Sequence, residues 1–227
     1  MAVFVLGDPH LSFSTEKPMD IFKGWGNYVQ RLEEGWRNTV SPQDTVVVAG
    51  DISWGISLEE ALEDFKFIHE LPGKKIFLKG NHDYWWTTKS KMDKFLQQHG
   101  LHSISILSNN AYLADGIVVC GTRGWMFEKG EPHDQKIVAR EAGRLKMSLQ
   151  EGEKLDGERV VFLHYPPVYG DEICPEIVDV IREAGVKRCY YGHIHSHGCK
   201  FALNGEYMGI DFRLISCDYV DFTPVKV

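Results

Sequence analysis

The chain has 227 residues and a formal net charge of −7, with 43% hydrophobic and 25% charged residues. This composition is typical of a globular protein, and the length predicts a single domain over residues 1–227. The negative charge argues against nucleic acid as a partner, because a general polyanion binder needs a basic surface. No stretch approaches the ~20 apolar residues of a bilayer span, so no membrane association is expected.

The N-terminus and the cysteines predict a cytoplasmic location. The first residues lack the basic start and longer apolar run of a signal peptide. The five cysteines are odd in number and show no paired spacing, so we interpret them as reduced thiols.

In the first half of the chain, short β-branched runs alternate with amphipathic stretches. Strands are predicted over residues 2–7, 45–49 and 75–79. Apolar residues recur at helical spacing from Trp25 to Trp36 and from Leu58 to Ile68, and Ser57 is the expected cap of the second helix. A third helix is predicted over residues 88–98, ending before Gly100.

The second half of the chain is richer in strands. Strands are predicted over residues 103–107, 111–114, 117–121, 159–163 and 187–191, and helices over residues 134–150 and 176–184. The C-terminal part is expected to meander as strands, with a hairpin turn at Asn204-Gly205. Strand–helix alternation followed by many strands predicts two packed sheets flanked by helices.

Polar side chains follow five of the predicted strands. They are Asp8 and His10, then Asp51, then Asn81, His82 and Asp83, then His164, and finally His193 and His195. In open α/β sheets, functional groups gather outside the carboxyl ends of strands. The glycines before Asp51, Asn81 and His193 permit tight turns and close approach of the backbone.

These residue types predict a site for two metal ions. Mixed imidazole and carboxylate ligands suit transition metals better than magnesium or calcium, and manganese, iron, zinc, cobalt and nickel all fit. A set of about seven ligands is too large for one tetrahedral zinc ion. Two metals about 3.5–4 Å apart, bridged by a carboxylate, polarise a phosphoryl group and activate a water molecule.

The ordered motifs Asp-x-His, Gly-Asp, Gly-Asn-His-Asp, His and Gly-His-x-His resemble the calcineurin-like metallophosphoesterase family. The resemblance runs from Asp8 to His195. One such motif alone is a weak signal, whereas all five in order are a strong one. The resemblance implies an α/β fold, a four-layer α/β/β/α sandwich of the metallo-dependent phosphatase type. It also implies an enzyme that hydrolyses a phosphomonoester or phosphodiester.

The resemblance also implies a role for each motif residue. The implied metal ligands are Asp8, His10 and His195 for the first ion, Asn81, His164 and His193 for the second, and Asp51 as the bridge. His82 would steady the phosphoryl group or protonate the leaving oxygen, as a histidine titrating near neutral pH can. Asp83 would orient His82 or a ligand. A metal-bridging hydroxide would attack phosphorus in line.

Two departures from the family pattern bear on the substrate. The protein Ser/Thr phosphatase branch carries Gly-Asp-x-x-Asp-Arg-Gly, whereas this chain reads Gly-Asp-Ile-Ser-Trp-Gly and lacks the phosphate-gripping arginine. It also has Gly-Asn-His-Asp in place of Gly-Asn-His-Glu. The chain is more similar to the compact bacterial branch of predicted phosphohydrolases, so a small organic or nucleotide-like phosphoester is expected. The alternatives are a nuclease, disfavoured by the acidic balance, and a non-catalytic scaffold, disfavoured by the complete ligand set.

Substrate contacts are predicted at Arg123, which suits a phosphate oxygen. A surface ion pair is an equally good interpretation. Trp54, Trp85 and Trp125 are expected near the mouth of the site, either as a rim that stacks on a planar leaving group or, as we favour, as packing. The loops over residues 11–24 and 126–133 are candidate lids. His197 lies outside the family register, so a metal contact is not expected of it.

Overall fold

The computed structural model describes residues 1–126 and 135–227. In these ranges the helices are α1 (Tyr28–Thr39), α2 (Leu62–Glu70), α3 (Lys89–Gln98), α4 (Gln135–Gly152) and α5 (Pro175–Glu183), with a 3-10 helix over Ser196–Phe201. The strands are β1 (Val3–Leu6), β2 (Thr45–Ala49), β3 (Lys74–Leu78), β4 (Ile104–Ile106), β5 (Tyr112–Ala114), β6 (Ile117–Thr122), β7 (Glu158–Leu163), β8 (Val168–Tyr169), β9 (Glu172–Ile173), β10 (Arg188–Tyr191), β11 (Gly205–Tyr207), β12 (Ile210–Leu214) and β13 (Val225–Lys226).

The strands form two large sheets. The first has the order β13-β1-β2-β3-β4, in which β1 to β4 are parallel and β13 is antiparallel. The second has the order β11-β12-β10-β7-β6-β5, with a parallel centre and an antiparallel strand at each edge. Strands β8 and β9 form a separate small hairpin. Because the central strands are parallel, their carboxyl ends lie at one edge of each sheet.

Three apolar layers separate four layers of secondary structure. In β2, Val46 and Val48 pack under the helices of the first half, whereas Val47 and Ala49 face the second sheet. In β7, Phe162 faces the first sheet, while its neighbours on either side face α4 and α5. Strands buried on both faces require continuous apolar runs, which is what the sequence has here. The predicted α/β/β/α sandwich is confirmed.

Most elements begin and end within a residue or two of their predicted positions, but two local predictions are wrong. Helix α2 begins at Leu62 with Ala61 as its N-cap, because Ser57 accepts a hydrogen bond from the N–H of Glu60 in a preceding turn. The C-terminal hairpin turns at residues 208–209, both with positive φ, and the side chain of Asn204 instead accepts the N–H of Leu214. Of the predicted helix over residues 134–150, residue 134 lies outside the described ranges.

In the described ranges, no helix combines the length and apolar character needed to cross a bilayer.

The side chain of Phe162 tests the packing between the two sheets. It is fully buried and stacks on Tyr190 at 5.6 Å between ring centroids. We expect Phe162→Ala to lower the free energy of unfolding by about 3–5 kcal/mol, because it leaves a cavity in the central layer. Urea denaturation measures the change, and Met147→Ala, on the exposed side of α4, is the control with an expected change within about 0.5 kcal/mol. Equal decreases in the free energy of unfolding of the two variants would contradict this packing.

Candidate metal centre

The two sheets are joined where β1 and β12 end. The N–H of Gly7 donates to the carbonyl of Ile215 at 2.8 Å, and the N–H of Cys217 donates to the carbonyl of Gly7 at 3.0 Å. One residue further along, both carboxylate oxygens of Asp8 accept the N–H of His193 at 3.0 Å. The junction therefore brings polar residues from the ends of both sheets into one site.

Six of the predicted ligands form two groups of three. Within each group, the donor atoms lie within 4.8 Å of one another. The first group is Asp8, His10 and His195, and the second is Asp51, His164 and His193. Asn81, the seventh predicted ligand, lies beside the second group, with its Oδ1 atom 2.6 Å from Nε2 of His164. The fold thus brings together all seven predicted ligands.

The carboxylate of Asp51, a member of the second group, also lies close to the first group. Its Oδ2 atom is 3.7 Å from Nε2 of His10 in the first group and 3.5 Å from Nε2 of His164 in the second. Its Oδ1 atom accepts the backbone N–H of His82 at 2.7 Å, which fixes the orientation of the carboxylate. An oxygen placed in this way can reach an ion in either group.

The backbone at the site is strained. Asp8, His10, Asp51 and His193 have φ angles of 60°, 47°, 49° and 72°, in the left-handed region that non-glycine residues rarely adopt. Such conformations cost of order 1–3 kcal/mol each, and they persist only where the surrounding structure enforces them. Here they turn side chains from the strand ends towards a common centre.

Glycines permit the close packing of these turns, as their positions in the sequence predict. Gly50 has a φ of 87° and packs on Gly80 and the ring of His164. A side chain at Gly80 would overlap the backbone and the carboxylate of Asp51, and one at Gly192 would overlap the carboxylate of Asp8. Only residues without a Cβ atom fit these approaches.

Two of the histidines are oriented by hydrogen bonds on the side remote from the centre. Nδ1 of His164 lies 3.1 Å from the carbonyl of Ala49, and Nδ1 of His195 lies 2.7 Å from Oδ1 of Asp218. A donor at Nδ1 leaves Nε2 free as a metal ligand. Asp218 also accepts the N–H of Ser196 at 2.8 Å. Sequence reasoning missed Asp218, although it follows strand β12 as the other site residues follow theirs.

The electrostatics of the donor set favour the binding of cations. Burial, together with the charge of Asp8, raises the pKa of Asp51 to about 8. Burial tends to raise the pKa of Asp8 as well, but the hydrogen bond and charge of His195 outweigh it and the pKa is lowered. Burial lowers the pKa of His193 to about 3 and lowers the pKa of His10 and His164, so these rings are neutral ligands. Divalent cations would relieve the repulsion between the carboxylates, so the residues fit two metal ions.

His82 lies beside both groups without belonging to either. Its ring centroid is 5.8 Å from that of His10 and 4.4 Å from that of Trp54. Within the described ranges its Nδ1 atom is buried and has no hydrogen-bond partner. Burial, and then the charge of His164, lower its pKa below the usual value. Packing therefore holds the ring at the centre, and its Nδ1 atom remains available for a hydrogen bond.

Asp83 is predicted to orient His82 or a ligand, and its contacts favour the second alternative. Its carboxylate accepts the N–H groups of Ile52 and Gly80 at 2.8 and 2.7 Å and the indole N–H of Trp85 at 3.0 Å. In the described part of the chain no hydrogen bond joins it to the His82 ring, because these donors surround it. Asp83 instead ties the loop after β2, which carries Asp51, to the loop after β3.

The three predicted tryptophans have different environments. Trp85 is 3% exposed and packs edge-on against Phe65, which agrees with packing, the favoured of its two interpretations, and not with a place in a substrate rim. Trp54 stacks on His10 at 5.1 Å between centroids, and the ammonium of Lys17, from the predicted lid over residues 11–24, lies 5.7 Å from its ring. Trp54 is thus part of the site wall, and its contact with substrate stays a prediction.

Arg123 and Trp125 lie next to the second ligand group. The backbone carbonyl of Arg123 accepts the N–H of His164 at 3.1 Å, and its guanidinium carbon is 5.2 Å from the ring of Trp125. Its Nη2 atom lies 3.6 Å from Oε1 of Glu141, and the two side chains are 16% and 0% exposed, so the predicted ion pair is present but is largely buried rather than on the surface. Phosphate binding by Arg123 stays a prediction.

Two further predictions concern the periphery. His197 is exposed and lies in neither ligand group, with its ring 5.9 Å from that of Phe201. Of the second candidate lid, over residues 126–133, all but the first residue lie outside the described ranges.

The chain belongs to the calcineurin-like phosphoesterase family, whose family model matches residues 1–197. The comparison confirms the family that the ordered motifs resemble. The search of curated proteins finds no match.

Solved structures with the same fold are distant in sequence. A protein of unknown function from Aquifex aeolicus is 13% identical with a TM-score of 0.52, and the match covers 99% of this chain and 95% of that one. Phosphopantetheinyl hydrolase from Mycobacterium tuberculosis is 14% identical with a TM-score of 0.57, and the match covers 100% of this chain and 95% of that one. At such identities the similarity establishes the fold alone.

Asp218 provides a test of how the His195 ligand is held. We expect Asp218→Ala to weaken manganese binding about 10- to 100-fold, because the His195 ring loses the partner that fixes its orientation. Isothermal titration calorimetry on metal-stripped protein measures the affinity. Asp179→Ala is the control, since Asp179 pairs with Arg182 on the surface of α5. If both variants bind manganese as tightly as the parent chain, Asp218 does not position His195.

Proposed function

We propose that the protein is a dinuclear-metal-dependent phosphoesterase that hydrolyses a small organic or nucleotide-like phosphomonoester or phosphodiester. The observation that carries this proposal is the position of Asp51, whose carboxylate oxygen lies within 3.7 Å of histidines from both ligand groups. A buried carboxylate close to two sets of imidazoles offers the mixed ligand types that suit two divalent transition-metal ions. Membership of the calcineurin-like phosphoesterase family supports the same conclusion.

We assign the ligands as the motifs suggest. Asp8, His10 and His195 would hold one ion, Asn81, His164 and His193 would hold the other, and Asp51 would be shared by both. When bound, two such ions supply Lewis acidity towards the phosphoryl oxygens and an activated water. The ligand types admit manganese, iron, zinc, cobalt and nickel, and availability selects among them.

His82 is assigned to the substrate rather than to a metal. Its ring is held against Trp54 beside the centre, where it can contact a phosphoryl oxygen or the leaving oxygen. Burial keeps the ring neutral near pH 7, and an approaching phosphoryl anion favours its protonation. We therefore assign to His82 the donation of a hydrogen bond to the phosphoryl group and of a proton to the leaving oxygen.

We further propose that residues 1–227 act as one metallophosphoesterase domain in the cytoplasm. Strand β13 pairs with β1, and Asp218 buttresses His195, so residues beyond the family match complete the sheet and the site. All five cysteines are unpaired, as the described ranges contain them all, which suits a reducing compartment.

Substitutions at Asp51 and His82 separate the metal site from the chemistry. We expect Asp51→Asn to abolish loading of both metals, because it removes the bridging charge. We expect His82→Ala to keep two metals and to lower kcat by about 10²–10⁴, because it removes the proton donor. The measurements are elemental analysis of each purified variant and hydrolysis of p-nitrophenyl phosphate and bis-p-nitrophenyl phosphate with added manganese.

The parent chain serves as the reference for both variants. A parent chain that binds no transition metal and stays inactive with manganese would overturn the enzyme assignment. Loss of both metals from His82→Ala would show instead that His82 is a ligand.

A further inference from the structure

A cavity of about 530 Å³ opens beside the metal centre, next to the carboxyl ends of β3, β4 and β6. It falls within the 300–1,000 Å³ that small-molecule sites occupy. Four of its described lining residues are cationic: Lys79, Lys89, Arg123 and Arg144. Glu141 is the single carboxylate among the described lining residues.

The two cations nearest the centre lack full partners. Among the described residues, the Nε atom of Arg123 is buried without a hydrogen bond, and its nearest carboxylate oxygen, from Glu141, is 3.6 Å from Nη2. Lys79 is half-buried, and no carboxylate of the described ranges lies within ion-pair distance of its ammonium. A half-buried cation with no carboxylate partner, as at Lys79, or with one at 3.6 Å, as at Arg123, is incompletely compensated, so both groups favour an anion between them.

The other charges of the lining cancel in part. Glu141 is fully buried, pairs with Arg144 at 2.7 Å and accepts the hydroxyl of Thr122 at 2.7 Å, so its charge is committed. Lys89 pairs with Asp93 at 2.6 Å. Two positive charges remain over the cavity, which matches the charge of −1.5 to −2 on a phosphate group near pH 7.

Helix α3 adds neutral donors to the same cavity. Its first residue, Lys89, and its N-cap, Thr88, line the cavity. No side chain caps this helix and its first turn contains no acidic residue, so its free backbone N–H groups are not met by a carboxylate of its own. These donors complement the cations, since an anion stabilises such a helix end.

The cavity is next to the metal centre. Lys79 stands two residues before the ligand Asn81 on the same strand end. The guanidinium carbon of Arg123 is 6.0 Å from the ring of Tyr165, which is in turn 4.3 Å from the ring of His193. Only Tyr165 therefore separates the guanidinium of Arg123, on the cavity wall, from a ring of the second ligand group.

We propose that this cavity binds a second phosphate group of the substrate while the first is hydrolysed at the metal centre. The proposal rests on the proposed function and narrows it to substrates that carry two phosphate groups joined by a short linker. Trp86 and Leu107 also line the cavity and offer an apolar surface for part of that linker.

Phosphonate inhibitors of matched length test the proposal on the manganese-loaded protein. Alkylphosphonates and α,ω-alkanebisphosphonates of the same chain lengths compete with p-nitrophenyl phosphate, or with bis-p-nitrophenyl phosphate if that is cleaved faster. At the best spacer we expect the bisphosphonate to bind at least about tenfold more tightly than the monophosphonate, because the second group binds intramolecularly. A bisphosphonate has two equivalent ends, and this statistical factor alone would tighten its binding only about twofold.

Variants then locate the second site. Lys79→Met, and separately Lys89→Met, should reduce the ratio of the two inhibition constants towards about twofold, whatever happens to turnover. Lys94→Met is the matched control, because Lys94 is exposed on the same helix and does not line the cavity, and it should keep the ratio of the parent chain. A parent ratio near two, or a ratio that neither cavity variant lowers, overturns the proposal.

Two further measurements separate the remaining outcomes. If inorganic phosphate changes turnover non-competitively and Lys79→Met abolishes the effect, the cavity binds free phosphate and the substrate proposal is wrong. Calorimetric titration of the same inhibitors gives the ratio even where no ester is hydrolysed. If the parent chain hydrolyses no ester but still binds the bisphosphonate at least about tenfold more tightly than the monophosphonate, the proposed function is wrong. The second phosphate site is then still supported.

Discussion

Two buried carboxylates at the meeting point of the sheets are the constraint on which the rest of the site depends. Asp8 and Asp51 are 0% and 2% exposed, and in the described ranges only imidazoles lie within ion-pair distance of them. Burying two like charges is costly, and burial together with the charge of Asp8 raises the pKa of Asp51. Divalent ions remove that cost, so binding of metal and stability of the fold are linked.

Backbone hydrogen bonds between the two sheets hold these carboxylates in place. The hydrogen bonds of Gly7 with Ile215 and Cys217 clamp the end of β1 to the end of β12. With the strands fixed, strained left-handed residues such as Asp8 and Asp51 have no lower-energy alternative. Asp83 adds a further tie, because its carboxylate collects N–H groups from the two loops that carry Asp51 and Asn81. Rigid loops keep ligands in place before a metal arrives.

The surroundings of the centre divide into two sides. On one side Trp54 packs against His10 and His82, so the proposed proton donor is held by an aromatic wall. On the other side Arg123 and Lys79 lie over a cavity with unmatched positive charge. The protein-phosphatase arginine is missing from the Gly-Asp motif, and these cations approach the site from different strands. A substrate with one phosphate at the metals and another among the cations would satisfy both sides.

The sequence by itself determined the family, the strand ends and the seven predicted ligands, because apolar runs and strand-end motifs are local patterns. The seven predicted ligands, from Asp8 to His195 in chain order, all lie at one centre. The sequence did not determine which side chains are in contact. Trp85 is buried and Asp83 binds backbone N–H groups. Asp218, which follows a strand without a family motif, supports His195. The cationic cavity was likewise decided only by the tertiary structure. Its lining residues lie far apart in the chain, and the packing of the first sheet, with β3 and β4, against the second, with β6, brings them together.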